Sequence, residues 1–277
     1  MCWRRVACVL LCGRCRDTVC AMAFRVYWDS PEPCPYLPGQ VARMPLRMPT
    51  EELRPETFDQ LLAEGDRRNG IMLYRTRCPT CNACQPIRVP VAEFVASKSQ
   101  RRVCRRNEAE VRVEVGTPEV TARHVELYNR HKLERGLSRT QTPMDATDYR
   151  MWLVNTCVDT REVRYLLGDR LVAVSILDFG RDSVSGVYHF FDPDEAWRSL
   201  GVYSVLREIE LTRELGLRWY YLGFYVADCT HLAYKADYFP HQRRVNGQWH
   251  SFQSAGAAGE PLPSAVPAVL VKDRVAP

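Results

Sequence analysis

Between residues 184 and 226 three patterns follow one another with almost no connecting chain: an apolar strand pattern, VSGVYHFFDP, a helical one, LGVYSVLREIELTRELG (200–216), and an aromatic strand pattern, RWYYLGFYV (218–226). In the middle segment Val202, Leu206, Ile209 and Leu215 recur at helical spacing, and Gly216 stands at the C-cap position. Strand, helix and strand joined this tightly imply a βαβ unit within a mixed sheet. Two further strand patterns precede it, VRYLLG and LVAVSILDFG, parted by Asp169-Arg170. The fold class read from this order is α+β. At 277 residues the chain has room for one large domain or two small ones, and 46% hydrophobic with 26% charged residues excludes a disordered or collagen-like body. No run of 18 apolar residues occurs, so neither a transmembrane helix nor a membrane partner is expected.

The first half is less regular. Residues 24–50 hold six prolines (Pro31, Pro33, Pro35, Pro38, Pro45 and Pro49) and read as a stiff, irregular stretch. A helix is expected from an N-cap at Thr50 to a stop at Gly65. IMLYR and IRVPVAEFV read as strands on either side of a cysteine turn, VRVEV (111–115) as another strand, and Gly116-Thr117-Pro118 as a linker. Residues 119–135 and 143–157 read as helices. This gives a cysteine-bearing N-terminal domain over 22–116, a second domain over 117–252, and an Ala-, Gly-, Pro- and Val-rich disordered tail over 253–277.

The N-terminal segment distorts both charge and cysteine counts. Residues 1–21 hold four arginines, one aspartate and five of the twelve cysteines; without them Lys+Arg and Asp+Glu stand at 34 and 32. A near-balanced remainder holds a polyanion only through local basic patches. The segment reads as a secretory leader or as an extension ahead of a start at Met22. Cys12, Gly13, Arg14 and Arg16 interrupt its apolar stretch and favour the second reading. The seven remaining cysteines, an odd number with three clustered, suit a reducing cytoplasm with a metal or reactive thiols.

Four constellations carry chemistry. Cys78-Pro-Thr-Cys81-Asn-Ala-Cys84 places three thiols in seven residues, suited to zinc or an iron–sulfur cluster, with Cys34 as the fourth ligand and Cys104 as second choice, or else forms a reduced structural knuckle. Lys98, Arg101, Arg102, Arg105 and Arg106 put five cations in nine residues, a match for a phosphate backbone or a solvated face. The run from Phe191 through Arg198 and Gly201 to Ser204 takes a strand into a helix N-terminus, a place for an anion or a carbonyl oxygen. It is similar, in part, to the loop where the acyl donor docks in the GNAT acyltransferase fold, with Tyr203 where a second glycine usually stands. AYKADYFP (233–240) follows the aromatic strand and resembles a late GNAT segment. Walker A, H-E-x-x-H, G-x-S-x-G and G-x-G-x-x-G motifs are absent.

Together CPYLPGQVARMP (34–45), GDRRNGIMLYRTRCPTCNACQPIRVPV (65–91), SKSQRRVCRRN (97–107), VYHFFDPDEAWRSLGVYSVLREIE (187–210) and WYYLGFYVADCTHLAYKADYFP (219–240) resemble the arginyl-tRNA–protein transferase family, most closely its bacterial aspartate/glutamate leucyltransferase branch. The resemblance runs from about Met22 to Phe252. It implies a small cysteine-bearing N-terminal domain followed by a GNAT-like aminoacyltransferase domain. It also implies transfer of leucine, or less closely arginine, from charged tRNA to protein N-terminal Asp or Glu, which marks the product for N-degron degradation. Two departures stand out. The first cysteine loop carries Cys34 alone, with Leu37 at the family's second cysteine position, so Cys78, Cys81 and Cys84 supply the missing ligand or no cluster forms. Asp66 replaces a usual aromatic residue.

Aminoacyl transfer from an activated ester needs alignment, a neutral amine, donors for the oxyanion and a cation for the acidic side chain; no cofactor is required for the chemistry. Under the resemblance, backbone N–H groups near Gly201–Tyr203 are the oxyanion donors, and Arg43, Arg198 and Lys235 are the substrate cations. Asp192 holds or deprotonates the amine, and Tyr188, Tyr203 and Tyr221 orient the aminoacyl group. His189 alternates with Tyr188, so one of the two is expected to face the cleft. The basic run at 98–106 takes the tRNA. Two other readings stay open: an acetyl-CoA-dependent GNAT acetyltransferase, and a non-catalytic metal-knuckle module that binds nucleic acid.

Overall fold

The structure is a computed structural model that describes residues 23–137 and 142–254. The leader expected over 1–21 lies outside these residues, as does all but the start of the expected tail. The chain opens with β1 (Phe24–Trp28), a short β2 (Glu32–Pro33) and β3 (Val41–Ala42) pair, and β4 (Leu46–Pro49). Helix α1 (Pro55–Glu64) follows, then β5 (Arg67–Asn69) and β6 (Met72–Tyr74). Strands β1, β4, β6 and β5 form a four-stranded sheet in that order. The proline-rich stretch is therefore not irregular throughout. Its prolines fall in turns and at strand ends, where a missing N–H is tolerated. Thr50 is not a cap: its N–H and Oγ1 bond the Ala23 carbonyl at 3.1 and 3.2 Å, tying β4 to β1. The helix starts at Pro55, after an extended Arg54, because proline suits the first helical position and keeps its predecessor extended.

The main body is an eight-stranded mixed sheet, ordered β14-β13-β7-β12-β11-β10-β9-β8. Its strands are β7 (Gln85–Pro90), β8 (Val111–Gly116), β9 (Asp159–Leu167), β10 (Arg170–Phe179), β11 (Ser183–Phe191), β12 (Trp219–Tyr225), β13 (His241–Val245) and β14 (Gln248–Phe252). β11 and β12 are parallel, as the βαβ pattern requires; the other neighbours are antiparallel. β7 and β8 precede residue 117 yet belong to this sheet, so the sheet has no break at the expected domain boundary.

Helices α2 (Lys98–Asn107) and α5 (Leu200–Glu214) bury Val103, Val205 and Ile209 against Val89, Val163 and Tyr165 on one face. On the other, α3 (Ala122–Glu134) and α4 (Ala146–Tyr149) set Leu127 and Tyr149 against Val174, Ile176 and Phe190. The apolar stripe of α5 stops short of Leu215, which is exposed at the C-cap. The helix expected over 143–157 is α4 followed by a single wide turn, Arg150–Val154.

Gly65 closes α1 with φ at 101°, in the left-handed region, and a Cβ there would stand 3.1 Å from Pro86 of β7. Gly65→Ala is expected to destabilise the protein by about 1–2 kcal/mol, from backbone strain and the tight approach, measurable by urea unfolding.

Candidate active site

β11 and β12 pair only where Ser183–Ser185 meet Trp219–Tyr221; beyond that the strands part. Gly186 stands at the mouth of the gap, where a Cβ would lie 2.7 Å from Tyr220 Oη. The gap opens into a cavity of about 560 Å³ lined by Tyr188 and His189 from β11, Gly201 and Glu208 from α5, Tyr220 from β12, and Lys235. A second cavity of about 710 Å³, lined by Trp28, Met44, Leu46, Tyr74, Tyr128 and Trp152 among others, lies beside it. Val187 and Tyr188 line both. Tyr188 and His189 thus both reach the first cavity, although they alternate along β11, because the strand runs through a parting in the sheet and is open to the cavity on more than one side.

The first cavity has a polar floor. Ser175 Oγ lies 2.8 Å from His189 Nδ1 and also hydrogen-bonds Glu208. Glu208 accepts from Tyr165 Oη at 3.3 Å and from Tyr220 Oη. Burial raises the Glu208 carboxyl above its ordinary value, against the hydrogen bonds from Ser175, Tyr220 and Tyr165. Burial, with His131 and Arg135 nearby, pushes His189 down to about 3, so its imidazole is neutral at neutral pH. His189 Nε2 is buried without a hydrogen-bond partner among the described residues. Burial, then the Arg67 charge, pushes the Lys235 ammonium down to about 7. Arg135, at the rim, lies over the Phe191 ring.

Of the residues singled out from the sequence, Tyr188, Gly201 and Lys235 meet in this cavity. The backbone donors expected over Gly201–Tyr203 are reduced, since Val202 N–H and Tyr203 N–H already bond the Ser199 carbonyl; Gly201 N–H remains for a ligand. Tyr203 turns into the core, edge-on to Tyr165. Tyr221 points to the opposite face of β12 from Tyr220, where its hydroxyl accepts from Arg88 at 3.0 Å. Arg43 is paired in a fork with Asp29, both bonds 2.7 Å, in the small-sheet region. Arg198 is buried between Glu195 and Glu110. Asp192 lines neither cavity. Arg123, Arg130 and Arg170 bond it at 2.6, 2.8 and 3.2 Å, and Asp194 N–H adds a fourth bond. Its saturated carboxylate clasps α3 to the β10–β11 corner and has no lone pair to spare for an amine. Glu208 and Ser175 were not singled out. An acid amid an apolar stripe was the signal in the sequence, but only the fold shows what it meets.

All five residues of the basic run, Lys98, Arg101, Arg102, Arg105 and Arg106, are exposed on α2. The helix is fixed by a Ser97–Gln100 capping box and turns Gln100 and Asn107 inward, with Asn107 donating to the Arg198 carbonyl.

Cys34, Cys78, Cys81 and Cys84 approach one another, joined by Cys229 from beyond β12, and burial with these thiols pushes Cys84 up to about 12. Cys34 Sγ accepts N–H groups of Tyr36 and Leu37 at 3.5 and 3.4 Å. Among the described residues no three of the sulfurs lie within 4.8 Å of one another. A zinc tetrahedron with bonds of about 2.3 Å sets its sulfurs about 3.8 Å apart, so this arrangement does not fit zinc. Cys104 sits apart on α2, in contact with the α5 core. The tightest ligand-like group among the described residues is Glu119, His124 and Glu162, within 4.8 Å. Arg164 bonds Glu119 and lies 4.0 Å from Glu162, so a guanidinium already neutralises it.

Residues 32–102 match the family model for the arginine-tRNA-protein transferase N terminus, and residues 123–245 match that for its C terminus. The chain is 36% identical to an aspartate/glutamate leucyltransferase of Chromobacterium violaceum over 83% of its own length and 94% of that protein's. It is 37% identical to one of Gluconacetobacter diazotrophicus, over 80% and 86%. Among solved structures it is similar to FemX, at 10% identity and a TM-score of 0.38 over 64% of this chain and 62% of that one. The chain belongs to the arginine-tRNA–protein transferase family. Within it, its similarity is to the aspartate/glutamate leucyltransferases.

The Asp192 carboxyl would be raised by burial, but its bonds to Arg123, Asp194 N–H and Arg130 hold it below the ordinary carboxylate value. Its stabilising effect is therefore present above the unfolded-state value of about 3.9 and is lost as pH falls through the lower folded value. Asp192→Asn is expected to cost about 3–5 kcal/mol at pH 7, as for a broken buried pair. Urea unfolding at pH 7 and pH 3 should show that loss shrinking on acidification.

Proposed function

We propose that this protein transfers leucine from charged leucyl-tRNA to the α-amine of proteins beginning with Asp or Glu, through a GNAT-like acyltransferase unit built on the βαβ segment. The observation that carries the reading is the pair of adjoining cavities sharing Val187 and Tyr188. Such a transfer brings two ligands of opposite character to one carbon. The second cavity carries Glu32, Arg68 and Lys132 as well, but its Trp28, Leu46, Tyr128 and Trp152 walls suit the leucyl side chain. The first suits the acidic N-terminal residue: the half-buried Lys235 ammonium has no counter-ion among the described residues and is drawn toward its neutral form, a state that a carboxylate relieves. Gly201 N–H, at the α5 N-terminus, faces the place where the ester oxygen gains charge. The α2 cations take the tRNA backbone beside the α5 rim. The ester is already activated, so alignment and proton transfer suffice and no cofactor enters these steps. The cysteine group is a knuckle between the N-terminal segment and the loop after β12. No helix among the described residues is long and apolar enough to cross a membrane, and the free thiols accord with a cytoplasmic setting.

The decisive assay supplies leucyl-tRNA, arginyl-tRNA or acetyl-CoA with peptides beginning Asp, Glu or Ala. Leucine is expected on the Asp and Glu peptides alone; acetyl transfer, or nucleic-acid binding without transfer, would overturn the reading. In the same assay Lys235→Met is expected to raise KM for the Asp peptide tenfold or more. Because Lys235 loses its charge as pH rises through about 7, the wild-type KM should climb above neutrality, while that of the variant should not.

Replacing Arg101, Arg102, Arg105 and Arg106 with Ala is expected to weaken tRNA binding and flatten its salt dependence by up to about four units of logarithmic slope. Filter binding across a salt series reads this, and an unchanged slope would remove α2 from the tRNA site.

A further inference from the structure

We propose that His189, Ser175 and Glu208 form a relay that takes up the proton shed by the attacking amine, with His189 as the catalytic residue and Ser175 and Glu208 acting through it. The proposal rests on the transfer reading above and adds the path of the proton.

The geometry sets the direction of the chain. Glu208 is buried and ringed by hydroxyl groups: Tyr165 and Tyr220 donate to its two oxygens, and Ser175 bonds it as well. Burial outweighs these O–H donors and raises the carboxyl above its ordinary value, which makes Glu208 a better proton acceptor than an exposed carboxylate. With its own proton directed at Glu208, Ser175 Oγ has a lone pair for His189 Nδ1–H, 2.8 Å away. That fixes the tautomer and leaves a lone pair on His189 Nε2. This nitrogen is buried and has no partner among the described residues, and the ring lines the cavity. Such an atom is costly to leave unpaired, so its partner arrives with the ligand.

The groups facing the relay support the transfer. From α3, His131 and the cationic Arg135 oppose charge on His189, so an imidazolium does not persist and the proton moves inward. Tyr234 and Tyr238, from the segment after β12, face Glu208. Lys235 and His231 line the same cavity.

In the reaction, the peptide ammonium gives one proton to His189 Nε2. The Nδ1 proton passes to Ser175 Oγ as the serine proton passes to Glu208. The neutral amine forms the C–N bond at the ester carbon, and the C–O bond to the ribose breaks. The second amine proton ends on the ribose oxygen. The proton on Glu208 returns to solvent when the products leave.

The test is single-turnover leucyl transfer to an Asp-initiated peptide between pH 6 and 9, for wild type, Ser175→Ala and Glu208→Gln, with circular dichroism as the folding control. The relay predicts a shallow wild-type profile. Both variants should depend steeply on pH, rising about tenfold per unit until the free amine's own value near 8, because only peptide already neutral in solution reacts. A merely structural role would lower the rate by the same factor at every pH and keep the wild-type profile, which would overturn the relay. Should the variants not fold, wild type is compared on Asp- and 3,3-difluoro-Asp-initiated peptides at pH 6.5. The relay predicts no gain from the weaker base, and a tenfold gain would overturn it. A wild type that transfers nothing overturns the transfer reading itself, whereas a transferring wild type whose variants keep its profile overturns the relay alone.

Discussion

The parallel pairing of β11 with β12 ends at Ser185 and Tyr221, yet neither strand ends there. β11 stays laddered to β10 as far as Phe191, and β12 to β7 as far as Tyr225. Each strand is held on its outer side while its inner side opens, so the gap is a fixed part of the sheet. Backbone groups that a continuous ladder would consume are left facing a cavity, one of the few settings in which buried polar groups find partners only when a ligand comes. Gly186 makes the opening usable. Any side chain there would strike Tyr220 Oη, the hydroxyl that holds Glu208.

The walls of this opening are fixed by carboxylates that bind arginines from distant segments. Asp178 of β10 holds Arg68 of β5 at 2.7 Å, both side chains almost fully buried. Asp66 takes Arg47 and Arg75, so this position joins β4 and the end of β6 by charge. Asp192 gathers three arginines in the same way. A buried carboxylate with two or three guanidinium partners is inert as a base and demanding as a structural link, because loss of either partner strands a charge in low dielectric. The cavity groups are the opposite. His189 Nε2 lacks a partner, and Lys235 lacks a counter-ion among the described residues. Saturation separates the scaffold's ionisable groups from those left for chemistry.

This separation marks what could be read from the sequence. The βαβ order, the mixed sheet and the strand patterns of the second half were legible because apolar periodicity and glycine stops are local signals. Gly201, Tyr188 and Lys235 were found because they sit in or beside that order. Asp192 and Arg198 stood in the same motif and misled, since a motif shows which residues are near in the chain and not which charges neutralise them; the arginines that silence Asp192 come from α3 and β10. Tyr221 and Tyr220 are neighbours with opposite fates, decided by the pleat and by which face α5 covers. Glu208 was passed over for the reverse reason. On a helix of mixed charge it is one acid among several, and its meaning depends on Ser175, Tyr165 and Tyr220 from three other strands.

One dry cavity acts on three titratable groups in a common direction. Burial lowers Lys235 and His189 and raises Glu208, so each is drawn toward its neutral form. A site of this kind has little charge to offer a neutral side chain and a large penalty to relieve for an acidic one. A carboxylate entering beside Lys235 favours the charged ammonium. An N-terminal Asn or Ala offers no such pairing and leaves the lysine to lose its proton or remain an unpaired buried cation. Discrimination in the proposed reaction then comes less from attraction to the right terminus than from the cost that a wrong one leaves in place. In the proposed relay the same burial favours the neutral amine once His189 has taken its proton, so the feature that selects the substrate would also ready its nucleophile.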